Sequence, residues 1–162
     1  MARKGGGLFS VSTIFASFFG AAMIAGAFAY FNYKFSEYKF INFSEWTFYK
    51  EKSLFMPSAD RYIVVFYSSN IPGTVAYLQK VKESKYPIIA IDYYQQSVGS
   101  SKNIEFVKAG TNTLLKFIQR FNIYHVPSVF IIKKSKETLY KQDSMIHQLD
   151  TLERLSITLE GF

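Results

Sequence analysis

The side chains able to do covalent or acid–base chemistry in this chain are few. None of its 162 residues is cysteine, which excludes disulfides, thiolate metal sites, iron–sulfur ligation, cysteine nucleophiles and dithiol exchange within the chain. His125 and His147 are the two histidines. Neither stands in the His-Glu-x-x-His spacing that sets two imidazoles on one helix face, so no metal is expected and both read as structural or surface residues. Ser68 and Ser69 are adjacent, but the Gly-x-Ser-x-Gly turn that exposes a nucleophile above a sheet is missing. With Thr74 and His125 they are the candidates for any non-thiol catalysis. Gly5-Gly6-Gly7 lacks the lysine and spacing of a phosphate loop and reads as a flexible linker, so no cofactor is implied. Asn42-Phe43-Ser44 fits a glycosylation triplet, a pattern short enough to arise by chance.

The elements that would hold these residues begin with an apolar segment. From Gly5 to Tyr33 there is no Asp, Glu, Lys or Arg, and residues 8–31 are almost wholly apolar or small. As a helix, residues 8–31 extend ~36 Å, enough to cross a ~30 Å hydrocarbon core with some tilt. Arg3 and Lys4 precede the segment and, by the positive-inside preference, place residues 1–7 in the cytoplasm. Tyr30, Phe31 and Tyr33 before Lys34 resemble an interfacial aromatic belt. The competing reading is a cleaved signal peptide, because Ala25-Gly26-Ala27 and Ala27-Phe28-Ala29 have the small-x-small form of a cleavage site. The apolar run, however, exceeds the usual ~7–15 residues of such peptides. Two stripes of small residues, Ser12, Ala16, Gly20 and Ala21, Ala25, Ala29, would let a second membrane helix approach closely.

Charge separates the remaining function classes. The formal net charge is +7, but residues 1–59 carry six basic and three acidic groups and residues 60–162 thirteen and nine, so no block dominates. The clusters Lys80, Lys82, Lys85 and Lys133, Lys134, Lys136 read as solvated faces. Without aromatic and basic residues interleaved at a module spacing, nucleic acid is not an expected partner.

Residues 32–38 read as a juxtamembrane linker, and 39–162 as one α/β domain. Residues 39–43 suit a short strand, and Ser44 suits a cap for a helix from Glu45 to about Leu54. The runs 62–67 and 87–93 lack charge except at Asp92 and predict buried strands around a helix 75–83, hence a parallel βαβ unit. Residues 95–110, mostly polar with Gly99 among serines, predict a loop. A helix is expected over 113–121, a hairpin over 129–132 and 138–141, and a last helix over 144–159 that turns Met145, Leu149, Leu152, Leu155 and Leu159 to the sheet.

Two segments add a resemblance. Residues 64–74, Val-Val-Phe-Tyr-Ser-Ser-Asn-Ile-Pro-Gly-Thr, and residues 121–130, Phe-Asn-Ile-Tyr-His-Val-Pro-Ser-Val-Phe, are similar to the active-site turn and the cis-proline loop of the thioredoxin-like superfamily. Over 39–160 the chain thus resembles a thioredoxin-like mixed β-sheet flanked by helices, here behind one transmembrane helix. Ile71, Pro72, Gly73 and Thr74 stand where that family carries Cys-x-x-Cys, and Val126 and Pro127 where it carries its cis-proline. Without thiols the dithiol chemistry of the family is lost, and what the resemblance implies is a binding surface at those six residues. The expectation is a single-pass inner-membrane protein with its domain in the periplasm or an equivalent compartment. It would contact lipid and integral-membrane or envelope partners as an accessory subunit, scaffold or assembly factor of a respiratory complex, secretion system or flagellar motor. A tethered peptide-holding chaperone and a non-thiol enzyme are the alternatives.

Overall fold

A computed structural model of the chain describes residues 10–37, 39–51, 53–81, 84–96, 98–99, 101, 103–151 and 153–162. It separates into two units, Met1–Tyr38 and Lys39–Phe162.

The first unit is the helix α1 (Val11–Glu37). Ser10 caps it, its Oγ accepting from the Thr13 amide at 3.2 Å. The stretch Val11–Phe31 is long and apolar enough to cross a membrane. Its described apolar side chains lie open, Phe18, Met23, Ile24 and Phe28 among them. The helix continues through residues 32–37, so the expected linker there is instead its last turns. Residues 5–9 and the side chain of Tyr33, which the sequence assigns to a linker, the start of the span and an aromatic belt, lie outside the described residues.

In chain order the second unit contains β1 (Phe40–Asn42), β2 (Phe48–Lys50), β3 (Ser53–Leu54), β4 (Arg61–Tyr67), α2 (Thr74–Lys80), β5 (Ile88–Asp92) and β6 (Ile104–Ala109). It continues with α3 (Thr111–Phe121), β7 (Ser128–Lys136), β8 (Leu139–Gln142), β9 (His147–Gln148) and α4 (Glu153–Glu160). The strands join in the order β1-β8-β7-β4-β5-β6-β2-β3, with β9 beside the start of β7. The uncharged run of β4 sits at the centre, parallel to β5 and antiparallel to β7. Buried on both faces, it has no need to alternate polar with apolar residues.

Successive residues feed two cores. Tyr62, Val64 and Phe66 join Phe117, Phe121 and Phe130 on the α3 face, and Ile63, Val65 and Tyr67 join Leu78, Leu155 and Leu159 on the face of α2 and α4, the period-two alternation of a strand. On the α3 face the sheet cannot be flat. β1 and β2 are six strand steps apart in the order, roughly 29 Å at ~4.8 Å per step, yet residues 43–47 between them span at most ~21 Å. The sheet therefore curls around α3. The joining turn closes the gap: Phe43 and Trp46 are buried against this core, and the Arg120 guanidinium lies 4.9 Å from the Trp46 ring and donates to the Phe40 carbonyl.

Three expected elements differ. The helix expected over 45–54 is the hairpin of β2 and β3, because Phe48 is buried while Tyr49 is exposed and the chain turns at Glu51 with φ 49°. The loop expected over 95–110 contains β6, which pairs β5 on one side and β2 on the other. Its alternation was masked by Glu105 and Lys108, of which Glu105 pairs with Lys50 of β2. The last helix begins at Glu153 rather than near Ser144, because His147 and Gln148 form β9 against the start of β7. The Ser144 Oγ accepts from the Ile131 amide, and the Leu149 amide donates to the Pro127 carbonyl. Leu149, Leu155 and Leu159 are still buried, whereas Met145 is exposed and the Leu152 side chain lies outside the described residues.

Candidate functional site

Register places the expected site residues at one end of the sheet. Phe66 opposes Ser128 and Tyr67 opposes Asp92, so the loops after β4, after β5 and before β7 emerge side by side. The β4 loop is a tight turn closed by Ile71 N–H to the Ser68 carbonyl and Thr74 N–H to the Ile71 carbonyl. Gly73 caps α2 with φ 84°, a left-handed conformation that costs glycine little. Thr74 is buried, and its hydroxyl donates to the Ile71 carbonyl at 2.9 Å, so it braces the turn. Ile71, Pro72 and Gly73 are exposed. Across the sheet the Val126–Pro127 bond is cis. Pro127 is buried and Val126 half-buried, and the Ser128 hydroxyl donates to the His125 carbonyl at 2.5 Å.

The pin for these loops is Asp92, 2% exposed. Its Oδ1 accepts from the amides of Ser69 (2.9 Å) and Tyr94 (3.2 Å), and Oδ2 accepts from Gln96 (2.8 Å). A carboxylate holding three backbone N–H groups keeps both turns in place. Burial, and secondarily the Asp92 charge, pushes the Tyr67 phenol well above its ordinary range. The Ser69 hydroxyl is buried without a hydrogen-bond partner.

Around this frame the large hydrophobic side chains that lie exposed are Ile71, Tyr93, Tyr94 and Tyr124, the last 82% exposed, with Asn70, Gln96 and His125 exposed among them. Tyr93 packs edge-on against both Phe66 and Tyr94. Sequence reasoning named the β4 turn and the proline loop but missed Asp92 and the three tyrosines. The available signal was an aspartate closing an otherwise apolar strand, followed directly by Tyr-Tyr. His125 is exposed and His147 lies on β9. No group of three or more His, Asp or Glu among the described residues is placed to hold a metal.

The second set of expected residues is on α1. Ser12, Ala16, Ala21, Ala25 and Ala29 are exposed and Gly20 half-buried, and a Cβ added at Gly20 would meet nothing within 4 Å. Asn42, the glycosylation candidate, is engaged: it donates to Glu45 Oε1 and accepts from the hydroxyls of Ser44 and Thr138. At the opposite end of the sheet a cleft of about 300 Å³ opens between Tyr62, Pro87, Leu54 and Met56, with Lys50 and Glu105 at its wall.

No protein-family model matches the chain, and no curated protein does. The molecule is a mixed α/β domain with a curled sheet, together with one apolar helix long enough to span a membrane.

Proposed function

We propose that the chain is a membrane-anchored, redox-inactive member of the thioredoxin-like superfamily that works by binding, as an accessory subunit, scaffold or assembly factor of a larger membrane or envelope complex. The observation that carries this reading is the loop end of the sheet. Its large exposed side chains are Ile71, Tyr93, Tyr94 and Tyr124, while the Asp92 carboxylate and the hydroxyls of Thr74 and Ser128 are spent on backbone groups. Exposed aromatics on a braced frame suit recognition of a protein surface. The thioredoxin-like assignment is supported by β4 followed by α2, by the antiparallel β7–β8 pair beside β4, and by the cis-proline that opens β7. Against a minimal member, β6 is added parallel to β5, and β1, β2 and β3 extend the sheet.

The anchor is α1, uncleaved, with residues 1–7 in the cytoplasm and the domain on the opposite side of the inner membrane or its equivalent. The test is mild detergent extraction of native membranes through a tag after Phe162, followed by native-size separation and mass spectrometry. A stoichiometric assembly that loses its partner on Ile71→Ser with Tyr124→Ser, or on Gly20→Leu in the helix, is the expected result. A species of the chain's own mass, indifferent to all three changes, would overturn the reading.

A further inference from the structure

The strand register assembles a cationic row that the linear sequence scatters over 80 residues. Arg61 of β4 opposes Lys133 of β7, Lys133 opposes Lys141 of β8, and Lys141 opposes Phe40 of β1. Directly paired residues project from the same face, so three cations stand side by side across three strands, roughly 10 Å from first to last. Arg61 is shared with Asp143 at 3.4 Å. Lys133 and Lys141 have no acidic partner among the described residues. The Lys141 ammonium lies 5.9 Å from the Phe40 ring. Lys134 and Lys136 follow on the exposed end of β7. The acidic groups on the same strands and adjoining turns, among the described residues, are Glu45, Asp60, Glu137 and Asp143, of which Asp143 is taken by Arg61 and Glu45 accepts from Asn42.

Like charges opposed across an antiparallel pair weaken it; Asp143 offsets Arg61, whereas the opposed Lys133 and Lys141 have no such offset among the described residues. The row also lies at the level where the chain enters the domain. Phe40 is its last member, the Lys39 carbonyl accepts from the Gln142 amide, and α1 ends at Glu37. In the chain, the row's last member thus follows the end of the apolar helix by three residues.

We propose that the row Arg61–Lys133–Lys141 is a docking surface for the anionic phospholipid headgroups of the membrane that holds α1. Resting on the reading of α1 as an anchor, the proposal adds a second attachment that fixes the domain's orientation and points its loop end away from the lipid. Two membrane signals on one chain, one apolar and one basic, reinforce each other without any new protein contact.

The absence of cysteine makes the test clean. The full chain carrying Ser135→Cys on β7, or Gln96→Cys at the loop end, is labelled with bimane at the introduced thiol. It is then reconstituted into vesicles of phosphatidylcholine alone or of an equimolar mixture with phosphatidylglycerol, each with headgroup spin-labelled lipid as quencher. The expected result is quenching at position 135 about twofold greater in the anionic vesicles and falling with salt, with little change at position 96. Lys133→Gln with Lys141→Gln should abolish the difference. Equal quenching in both vesicles while the chain floats with them overturns the docking surface and leaves the anchor standing. A chain that does not float with either vesicle overturns both readings. A response of the 135 probe to single-stranded RNA but not to anionic vesicles reassigns the row to nucleic acid and overturns the proposal.

Discussion

The two ends of β4 carry opposite chemistry. Arg61 begins the strand and Tyr67 ends it, about 20 Å away at ~3.3 Å per residue. At the first end, three cations stand abreast across β4, β7 and β8. At the other, a buried carboxylate gathers three amides, and Ile71, Tyr93, Tyr94 and Tyr124 are exposed. Two tyrosines report the difference. The Tyr86 hydroxyl accepts from the Arg61 guanidinium at 3.1 Å, and that bond, aided by the Lys85 charge, holds its phenol below the ordinary value despite some burial. Tyr67, buried and beside Asp92, is held above it. The contrast teaches that one strand can separate a cationic surface from an aromatic one, with the core between them common to both.

That common core is where the comparison breaks most easily. Phe117 is fully buried and touches Phe48, Phe66, Phe121 and Phe130, so it packs against strands from both sides of the curl. Phe117→Ala should cost about 3–5 kcal/mol and loosen both ends together, read as a lowered urea midpoint by the fluorescence of Trp46. An unchanged midpoint would mean that α3 is not enclosed by the sheet. A narrower break is Asp92→Ala. Leaving three backbone amides without their carboxylate should cost about 2 kcal/mol, and amide exchange should accelerate at Ser69, Tyr94 and Gln96 while the β7–β8 pair stays protected. Equal acceleration at both ends would deny that they are separate.

How far the sequence reveals this layout depends on what positions each residue. The strands β4 and β5, the amphipathic α3 and the β7–β8 hairpin are legible because burial on both faces, or on one stripe, writes itself into local periodicity. The β2–β3 hairpin is not, since Ser44 reads as the cap of a helix that would end before Met56-Pro57. Only the partner β6 and the turn at Glu51 decide for strands. β6 itself hides behind Glu105 and Lys108, tolerated because Glu105 meets Lys50 across the pair. Of the candidate site, the turn 71–74 and Pro127 are visible as local motifs. Asp92 is not, because its importance comes from amides two to four residues ahead and 23 residues behind. The cationic row is the extreme case, three residues that become neighbours only through register.

Beside the cationic row, next to Lys141 on β8, Tyr140 tests the core by titration. Its hydroxyl donates to the Ala59 carbonyl at 2.7 Å, and burial, followed by the charges of Tyr62 and Asp60, pushes its pKa up to about 12. The unfolded phenol ionises near ~10, so the native state favours the neutral form. This contribution is whole below the unfolded value and is lost as pH rises from there through the folded value. Unfolding midpoints should therefore fall as pH is raised above that of the free phenol. Tyr140→Phe should lower stability by about 1 kcal/mol at neutral pH and flatten the alkaline slope. An unchanged slope would assign the alkaline loss to Tyr67 or to other groups.

The smallest expected effect is also the sharpest, because it separates stability from attachment. Lys141 opposes Lys133 directly, and Lys141→Glu turns a like-charge pair into an attractive one, which should stabilise the domain by ~0.2–1 kcal/mol at low salt. The same change removes one cation from the row and adds an anion beside the headgroups, so attachment of the β7–β8 hairpin to anionic vesicles should weaken. Stability and lipid contact then move in opposite directions, the signature of residues kept for a surface rather than for the fold. Urea midpoints and bimane quenching on the same protein measure both. A variant that loses stability and keeps its quenching would show that Lys141 serves the sheet, and the row would lose its claim to the membrane.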